Sequence, residues 1–399
     1  MKIIHTSDWH IGKIVNEFSI LEDQKYILDE LIKLVDKERP DVLIIAGDMY
    51  DRSIPPVDGV ELLNNILSKL VMEKGIKVLA ISGNHDSGER VCFASNILEK
   101  QGLYIVGRDE ELYRKIEIDD EYGKVNFYLI PYKDPSVIKK LLDNSEIRNH
   151  NDAMKAVVEN INKNIDKSDR NILVAHGYVT MYREEAKESS EDKYEAANLE
   201  VSESERPLSI GGTDLIDCNI FNDFDYVALG HLHGRQKIGR EEVRYSGSLL
   251  KYSFSEVNQK KGVTIFDIDK DKNVTLDLRE LKPIRDLRII KGNIDELIEI
   301  GRSVVDGRED YIQAILLDEG ELINPIEKLR AVYPNVMLIT REKKREHDEN
   351  STSAKKGYKN KSEKDLFEEF YNALSDGEFT EEKSKIIDET INKILKEEV

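Results

Sequence analysis

The feature that most constrains the fold is a series of short apolar runs, each typical of a β-strand and each ending in glycine or a polar residue. Between residue 1 and about residue 280, these runs alternate with amphipathic helical stretches such as 20–38 and 60–73. That alternation predicts an α/β domain. The runs are KIIHTSD, DVLIIAGD, IKVLAISGN, YIVG, KVNFYLIPY, RNILVAHG, DYVALGH, VRYSGS and GVTIFDID.

Length and composition limit the class of protein. With 399 residues, the chain is long enough for two or three domains. No apolar run approaches the roughly 20 residues of a membrane span, and MKIIHTSDWH is already strand-like rather than the start of a signal peptide. Two cysteines, Cys92 and Cys218, do not make a disulfide framework, so we expect buried thiols in a reducing cytoplasm.

The net charge of −20 argues against binding of nucleic acid through overall basicity. It does not exclude a DNA partner, because bound divalent cations and a local basic groove can outweigh the total charge. A charged stretch at 183–205 has few apolar residues and predicts a solvated insertion.

The composition changes after residue 280 and divides the rest of the chain. Residues 284–340 have the strand–helix–strand–helix–strand pattern of a small α/β module, and 341–363 are polar and charged like a flexible linker. Residues 364–399 predict two amphipathic helices. Such helices either fold back on their own chain or dock on a partner, and the pattern leaves both open. The predicted divisions are 1–283, 284–340, 341–363 and 364–399.

Polar side chains with metal-binding chemistry follow five of the predicted strands. In open α/β sheets the ligand crevice lies beyond the carboxyl ends of the strands, so we expect these side chains to meet at one edge. Five of the eight histidines lie here; we expect His5 to be packed in its strand, and His150 and His347 to be solvated. The strand-end residues are Asp8, His10, Asp48, Asn84, His85, Asp86, His176, His231 and His233.

Each of these residues also has an ordinary structural interpretation: Asp8 as a helix cap, Asn84 as a turn residue, His176 as a core histidine. The joint pattern favours metal binding. Carboxylate, imidazole and amide ligands without thiolate suit manganese or iron better than a structural zinc. Seven ligands are too many for one ion and suit two, with Asp48 as the bridge. Two metals roughly 3.5–4 Å apart are a recurring device for phosphate-ester hydrolysis.

The motifs Asp-x-His, Gly-Asp-x-x-Asp, Gly-Asn-His-Asp, a His beside Gly, and Gly-His-x-His, in this order between Asp8 and His233, resemble the calcineurin-like metallophosphoesterase superfamily. The stretches IIAGDMYDRSIPP, ISGNHDSGER, SERPLSIGGTDLI and RYSGSLLKYSFSE are similar to those of bacterial nuclease subunits regulated by an ABC-type ATPase. The resemblance implies a sandwich of two mixed sheets flanked by helices, a small α/β capping domain at 284–340, and a C-terminal helical pair.

The resemblance also implies roles for the strand-end residues. One Mn²⁺ would be held by Asp8, His10, Asp48 and His233, and the other by Asp48, Asn84, His176 and His231; Mg²⁺ or Fe²⁺ are alternative ions. His85 would not bind metal but would lie over the scissile phosphate, where it stabilises charge or protonates the departing sugar oxygen. Adjacency suggests that Asp86 orients the His85 ring. No individual DNA-binding residue is assigned.

By the same resemblance, the function is that of a manganese-dependent DNA nuclease in repair and recombination. It would be an exonuclease on double-stranded ends and an endonuclease at hairpins or single-stranded DNA. The C-terminal helices would bind the ATPase, the chain would form a homodimer within a heterotetramer, and the complex would be cytoplasmic and nucleoid-associated. Asp51 stands where archaeal and eukaryotic relatives tend to have His, which puts a DNA contact there in doubt.

Two other functions compete with this one. A small-molecule phosphodiesterase of the same superfamily would have little use for the module at 284–340 and the tail helices. A metal-stabilised adaptor that holds the ATPase would not need a non-ligand histidine such as His85.

Overall fold

The computed structural model describes residues 1–184, 194–196, 199–205, 214–303, 306–342, 367–368, 371, 379–380 and 383–387. The chain forms two compact units, Met1–Arg341 and Glu342–Val399. Within those ranges, none of the helices has both the length and the apolar character needed to cross a bilayer. Most of the predicted linker and tail helices, together with His347, lie outside the described residues.

The first unit is built from short strands and a smaller number of helices. Its strands are β1 (Lys2–Thr6), β2 (Ile14–Val15), β3 (Phe18–Ser19), β4 (Val42–Ala46), β5 (Lys77–Ile81), β6 (Leu103–Val106), β7 (Arg114–Asp120), β8 (Gly123–Ile130), β9 (Arg170–His176), β10 (Tyr178–Thr180), β11 (Tyr182–Glu184), β12 (Tyr194–Ala196), β13 (Leu215–Asp217), β14 (Tyr226–Gly230), β15 (Gln236–Ile238), β16 (Arg240–Tyr245), β17 (Gly262–Ile268), β18 (Val274–Glu280), β19 (Leu287–Gly292), β20 (Tyr311–Leu316) and β21 (Val336–Arg341). Its helices are α1 (Leu21–Glu38), α2 (Val57–Ser68), α3 (Gly88–Val91), α4 (Ser95–Leu98), α5 (Pro135–Leu141), α6 (His150–Asn162), α7 (Ile294–Ser303) and α8 (Pro325–Arg330).

Two six-stranded mixed sheets form the body of this unit. The first has the order β18-β17-β1-β4-β5-β6, in which β1, β4, β5 and β6 are parallel. The second has the order β15-β16-β14-β9-β8-β7, in which β16, β14, β9 and β8 are parallel. Strands such as β4 (VLIIA) are apolar throughout because they are buried on both faces, as is usual for parallel strands.

The two sheets pack face to face through alternate residues of their strands. Ile44 of β4 and Leu79 of β5 meet Phe127 of β8 and Val174 of β9 in one apolar cluster. Between β14 and β17, the rings of Tyr226 and Phe266 stack with centroids 3.8 Å apart. The side chains of each strand point alternately to this interior and to an outer helical layer.

Helices cover the outer faces of both sheets. The apolar stripe of α1, which includes Ile27, Leu28 and Leu31, packs with α2 on the first sheet. α6 begins at the N-cap Asn149, whose Oδ1 accepts the Asp152 backbone N–H at 2.8 Å. It covers the second sheet through a further apolar cluster. The predicted sandwich of two mixed sheets flanked by helices is confirmed.

A third, fully parallel sheet of order β19-β20-β21 carries α7 and α8 and has an apolar cluster of its own. Its elements agree with the strand–helix pattern predicted for 284–340. Leu287, Tyr311 and Met337 turn from this sheet into the core beside α1. The boundary at residue 284 stays a prediction, because the small sheet is part of the compact unit that ends at Arg341.

One ion pair anchors the start of β9, the strand that ends in His176. Arg170, whose side chain is 4% exposed, donates to both oxygens of Asp120: Nη1 to Oδ2 at 2.7 Å and Nη2 to Oδ1 at 2.5 Å. These hydrogen bonds from Arg170 hold the pKa of the Asp120 carboxyl well below its usual range. The ionised form of Asp120 therefore stabilises the folded chain.

We predict that Asp120→Asn lowers the free energy of unfolding at neutral pH by about 1–3 kcal/mol. Because the folded-state pKa is depressed, this contribution is complete above the unfolded carboxyl pKa, near about 3.9, and is lost as the pH falls through the folded value. The difference between wild type and variant should therefore shrink below about pH 4 in urea titrations. Asp119→Asn, at the exposed neighbouring position, is the matched control. If Asp120→Asn lowered the free energy of unfolding equally at neutral pH and below about pH 4, the expectation would be contradicted.

Candidate metal centre

The ends of five parallel strands meet at one edge of the sandwich. β1, β4 and β5 of the first sheet and β9 and β14 of the second all lead into polar segments there. The seven predicted metal ligands converge at this edge. His10, which follows β1, and His176, which ends β9, each contact residues from other strand ends. The sequence prediction that these side chains lie together agrees with the structure.

The first group of side chains is Asp8, His10 and His233, whose potential ligand atoms all lie within 4.8 Å of one another. The Nε2 atoms of His10 and His233 face each other at 3.1 Å. All three residues are buried. Two imidazole nitrogens and a carboxylate that converge in this way form a donor set for a divalent cation.

The second group is centred on Asp48 and His176, which with Asp8 form another set of ligand atoms within 4.8 Å. His176 Nε2 lies 3.4 Å from Asp48 Oδ2 and 2.9 Å from Asn84 Oδ1. His231 Nδ1 lies 3.2 Å from the same Asn84 oxygen. Asp48 Oδ2 is also 3.7 Å from His10 Nε2 of the first group, so Asp48 stands between the two groups.

The backbone is unusual at the strand ends. Asp8, His10, Asp48 and His231 adopt positive φ angles of 54°, 44°, 52° and 113°. Residues other than glycine rarely adopt such angles, and those that do cluster at functional sites. A Cβ on Gly83 would lie 2.2 Å from Asp48 Oδ1, so only glycine allows the β5 loop to approach that carboxylate.

The charge states of the buried groups suit cations. Burial lowers the pKa of His10 and of His231 well below the usual value, so both rings are neutral. Burial would raise the pKa of Asp48, but neighbouring His176 and His10 hold it well below its usual range. His10 Nδ1 and His231 Nε2 are buried without a hydrogen-bond partner. Neutral imidazoles beside the ionised Asp48 carboxylate fit divalent metal ions.

His85 lies beside the first group, with its ring centroid 4.6 Å from that of His10. Its Nδ1 contacts the backbone oxygen of Asp51 at 2.7 Å. A carbonyl oxygen only accepts, so Nδ1 carries the proton and Nε2 keeps its lone pair in the neutral ring. His85, His10 and Asp51 form a further set of close ligand atoms. The Asp51 carboxylate accepts from Lys13 Nζ at 2.7 Å and is 7% exposed.

The role suggested for Asp86 is wrong. Its carboxylate accepts the backbone N–H groups of Met49 at 3.1 Å, Tyr50 at 2.9 Å and Gly83 at 3.0 Å. Asp86 thus ties the loop after β4 to the loop after β5, while the Asp51 carbonyl orients the His85 ring. Adjacency in sequence misled here, because three backbone N–H groups of the neighbouring loops hold the Asp86 carboxylate.

Of the other histidines, His5 is packed as predicted: its Nδ1 lies 3.1 Å from Tyr226 Oη and its Nε2 3.2 Å from Leu229 O. The prediction of a solvated His150 is wrong. Its ring is buried and stacks on Tyr132 with centroids 5.8 Å apart. It begins α6, a helix that the strand pattern did not reveal.

Several supporting residues were missed by the sequence interpretation. Ser204 Oγ lies 2.7 Å from His233 Nδ1, and Glu205 Oε1 accepts the His233 backbone N–H at 2.6 Å. A wholly solvated 183–205 stretch is therefore wrong, since Glu205 is buried against the site. Burial would raise the pKa of Glu256, but Lys261 and His233 hold it well below the usual range. Glu256 lies in RYSGSLLKYSFSE, one of the stretches that carried the family resemblance.

A cleft of about 490 Å³ opens beside the first group of ligands. Lys13, Ser204 and Tyr252 line it from the two-sheet body, and Gln313 and Leu338 line it from the small parallel sheet. The Tyr252 ring lies 5.4 Å from the rings of both His10 and His233. The lining of the cleft includes none of the seven predicted ligands, but its residues Ser204 and Tyr252 contact His233 and His10.

Two family profiles match most of the chain. The sequence profile of the calcineurin-like phosphoesterases matches residues 1–235, and that of the type 5 capsule protein repressor C-terminal domain matches residues 283–374. A dimetal phosphatase from Danio rerio superposes with a TM-score of 0.38 at 10% identity, over 67% of this chain and 92% of that one.

Two curated relatives, both named as the SbcD component of the nuclease SbcCD, match along their whole length. The protein from Staphylococcus epidermidis is 34% identical over 398 residues, which cover 100% of both chains. The protein from Staphylococcus saprophyticus is 36% identical over 401 residues, which cover 100% of this chain and 99% of that one. The chain therefore belongs to the calcineurin-like phosphoesterase family, in the group that contains the SbcD components of SbcCD nucleases.

Proposed function

We propose that this chain is a divalent-metal-dependent DNA nuclease that hydrolyses phosphodiesters, from double-stranded ends and at hairpins or single-stranded DNA, as a subunit of an ATP-regulated repair complex. The observation that carries the proposal is the convergence of seven metal-binding side chains beside His85, in a chain that matches nuclease relatives over its full length. Such a nuclease would work in the cytoplasm, at the nucleoid.

We assign one ion to Asp8, His10, Asp48 and His233, and a second to Asp48, Asn84, His176 and His231. The distances between the two groups support Asp48 as the shared ligand. Oxygen and imidazole donors without thiolate favour Mn²⁺, with Mg²⁺ or Fe²⁺ as alternatives. When bound, such a pair of cations supplies charge stabilisation for the phosphate and lowers the pKa of water.

The protein residues would position the substrate and move the proton. His85 is placed to contact the scissile phosphate because its ring borders the first ligand group and is fixed by the Asp51 carbonyl. In its protonated form it can give a proton to the departing sugar oxygen through Nε2. The hydrogen bond from Nδ1 to the Asp51 carbonyl keeps Nε2 facing the site.

The cleft supports a polymeric substrate over a small phosphodiester. It is lined by both the two-sheet body and the small parallel sheet, and it borders the ligand cluster through Ser204 and Tyr252. A small ester would use only the part next to the ligands, whereas a nucleic acid strand can occupy the length between the two layers. The net charge of −20 makes cations at the site the main local attraction for a phosphate backbone.

The purified chain should cut end-labelled duplex and hairpin DNA in Mn²⁺, and a chelator should abolish the cuts. Asp48→Ala should bind less than two equivalents of metal and lose activity by at least about a hundredfold, because it removes the shared ligand. Gel analysis and metal content by mass spectrometry are the measurements. Hydrolysis of a chromogenic small diester without DNA cleavage, even with the ATPase present, would favour the small-molecule phosphodiesterase. Retention of two metals in Asp48→Ala would remove the bridging assignment.

His85→Ala should behave differently from Asp48→Ala. It should retain both Mn²⁺ ions and lose turnover by about 10²–10⁴-fold, the usual effect of a general acid. Metal content and single-turnover cleavage of the same variant provide the measurement. His150→Ala, which removes a buried imidazole outside the predicted ligand set, is the matched control and should retain most of the activity. Loss of metal from His85→Ala would make His85 a ligand, and full activity would exclude it from the chemistry.

We also propose that the chain forms a homodimer and binds the ABC-type ATPase SbcC through the predicted helices at 364–399. An exposed apolar surface, which we call the α2 patch, supports the proposed homodimer. It comprises Val60, Met72 and Phe93, of which Phe93 is 81% exposed. Val60, Met72 and Phe93 border a groove of about 270 Å³. Apolar surface of this kind marks interaction sites, and a second copy offers the same apolar chemistry.

Light scattering coupled to size exclusion should separate the homodimer contact from the contact with SbcC. Phe93→Lys should give a monomer that still binds SbcC, whereas a chain ending at residue 363 should remain a dimer that does not bind SbcC. Ile300→Lys, at an exposed apolar position on α7, is the control and should leave both contacts intact. A dimeric Phe93→Lys variant would exclude the α2 patch, and SbcC binding by the shortened chain would exclude the tail.

A further inference from the structure

A buried carboxylate stands on the side of His233 opposite to the other ligands. The His233 Nε2 faces His10, whereas its Nδ1 lies 2.7 Å from Ser204 Oγ and 3.3 Å from Glu256 Oε1. Glu256 is fully buried, with 0% exposure. Neither Ser204 nor Glu256 belongs to the seven predicted ligands. Their contact with one ligand ring therefore requires its own explanation.

Glu256 is held in place by donors from several segments. Lys261 Nζ lies 2.6 Å from its Oε2, and the Tyr252 backbone N–H donates to the same oxygen at 3.2 Å. Ser202 Oγ donates to Oε1 at 2.7 Å, and the Ser204 hydroxyl also donates to Oε1. A carboxylate with this many donors has one orientation, and the buried cation of Lys261 compensates its charge.

These contacts determine the tautomer of His233. Because the Ser204 hydroxyl gives its hydrogen to Glu256, its oxygen can only accept from the ring, and Glu256 Oε1 also only accepts. Nδ1 therefore carries the proton, and the lone pair lies on Nε2, toward His10 and Asp8. Lys261 Nζ also donates to the His233 backbone oxygen at 2.9 Å, which fixes the main chain of the same residue.

The other two histidines of the β9 and β14 ends have different neighbours. His176 Nδ1 contacts the backbone oxygen of Ala46 at 2.8 Å, and His231 Nδ1 contacts Asn84 Oδ1 at 3.2 Å. The carboxylate–hydroxyl network thus acts on the ring that belongs to the first ligand group, and not on the rings of the second. Because of this asymmetry, we expect the network to affect the ion of the first ligand group and not the ion of the second.

We propose that Ser204, Glu256 and Lys261 form a positioning network that fixes the Nε2 lone pair of His233 and raises the affinity of the first metal position, leaving the second nearly unaffected. This rests on the proposed function, because it takes His233 to be a ligand. Carboxylates behind metal-binding histidines fix ring orientation and strengthen the ligand, and their loss typically costs about 10–100-fold in metal affinity. The three residues are positioning residues because they act on the metal site through His233, although Ser204 also lines the cleft.

The test is a Mn²⁺ titration of the full chain, followed by electron paramagnetic resonance and calorimetry, without any substrate. Wild type should bind two Mn²⁺ ions. Glu256→Gln keeps the size of the side chain and removes its charge, and it should weaken one of the two sites about 10–100-fold while the other keeps its affinity. His233→Ala should weaken the same site. Ser204→Ala should have a smaller effect in the same direction, and Ser204→Thr, which restores the hydroxyl, should recover wild-type binding.

Asp120→Asn is the control for general destabilisation, since it also removes a carboxylate that is paired with a cation, at the end of β7 rather than at the site. It should leave both Mn²⁺ affinities unchanged. If Glu256→Gln leaves Lys261 unpaired and does not fold, the Ser204→Ala and Ser204→Thr pair decides the question. The double variant Glu256→Gln/Lys261→Met, which removes both charges, should fold and still show one weakened site.

Failure of this proposal and failure of the proposed function are distinguishable. Two Mn²⁺ ions with wild-type affinities in folded Glu256→Gln and Ser204→Ala would overturn the positioning network and leave the two-metal nuclease intact. Equal weakening of both sites would overturn the selectivity for the first position. A wild-type chain that binds no Mn²⁺, Mg²⁺ or Fe²⁺ would overturn the metal site itself, and the positioning network with it.

Discussion

The packing of the two six-stranded sheets is the constraint on which the site depends. It brings the carboxyl ends of three strands of one sheet and two of the other to the same edge, so that His10 and His233, 223 residues apart, lie with their Nε2 atoms 3.1 Å from each other. The interior that holds the sheets together consists of apolar side chains such as Phe127 and Val174. Polar groups are tolerated at its border because they satisfy one another or fit a cation.

The strand-end site adds acidic groups to a chain that is already acidic. The protein carries a net charge of −20, and its site combines two neutral imidazoles, His10 and His231, with the carboxyl groups of Asp8 and Asp48. Carboxylates as close as these repel one another unless positive charge lies between them. The pair of divalent cations that we propose would supply that charge, and it would draw a phosphate backbone to the site rather than to the overall surface.

The strand ends were predictable from apolar runs of strand length, and at three of the five ends a second rule agrees: glycine is followed by Asp, Asn or His. Both rules are local, and so is the strand–helix alternation of the small parallel sheet. The helices α5 and α6 were not predicted, since their apolar stripes lie among many polar residues. Glu256 and Ser204 contact His233 although they lie 23 and 29 residues from it in the sequence. No period in the sequence reveals these contacts. Those contacts exist only once β14, β16 and the segment before β17 have packed.

The first turn of α1 joins the small parallel sheet to the metal centre. Asp23 accepts from Tyr311 Oη at 2.7 Å and from Arg285 Nε at 2.9 Å, which ties this turn to β20 and to the chain that enters β19. Its neighbour Gln24 donates to the backbone oxygen of His10 at 2.7 Å and accepts the Gly12 N–H at 2.9 Å. Two consecutive buried residues therefore hold the small sheet on one side and the His10 loop on the other. Buried hydrogen bonds of these two residues, together with the packing of Leu287, Tyr311 and Met337 into the core, thus link the position of the small sheet to that of the loop that carries His10.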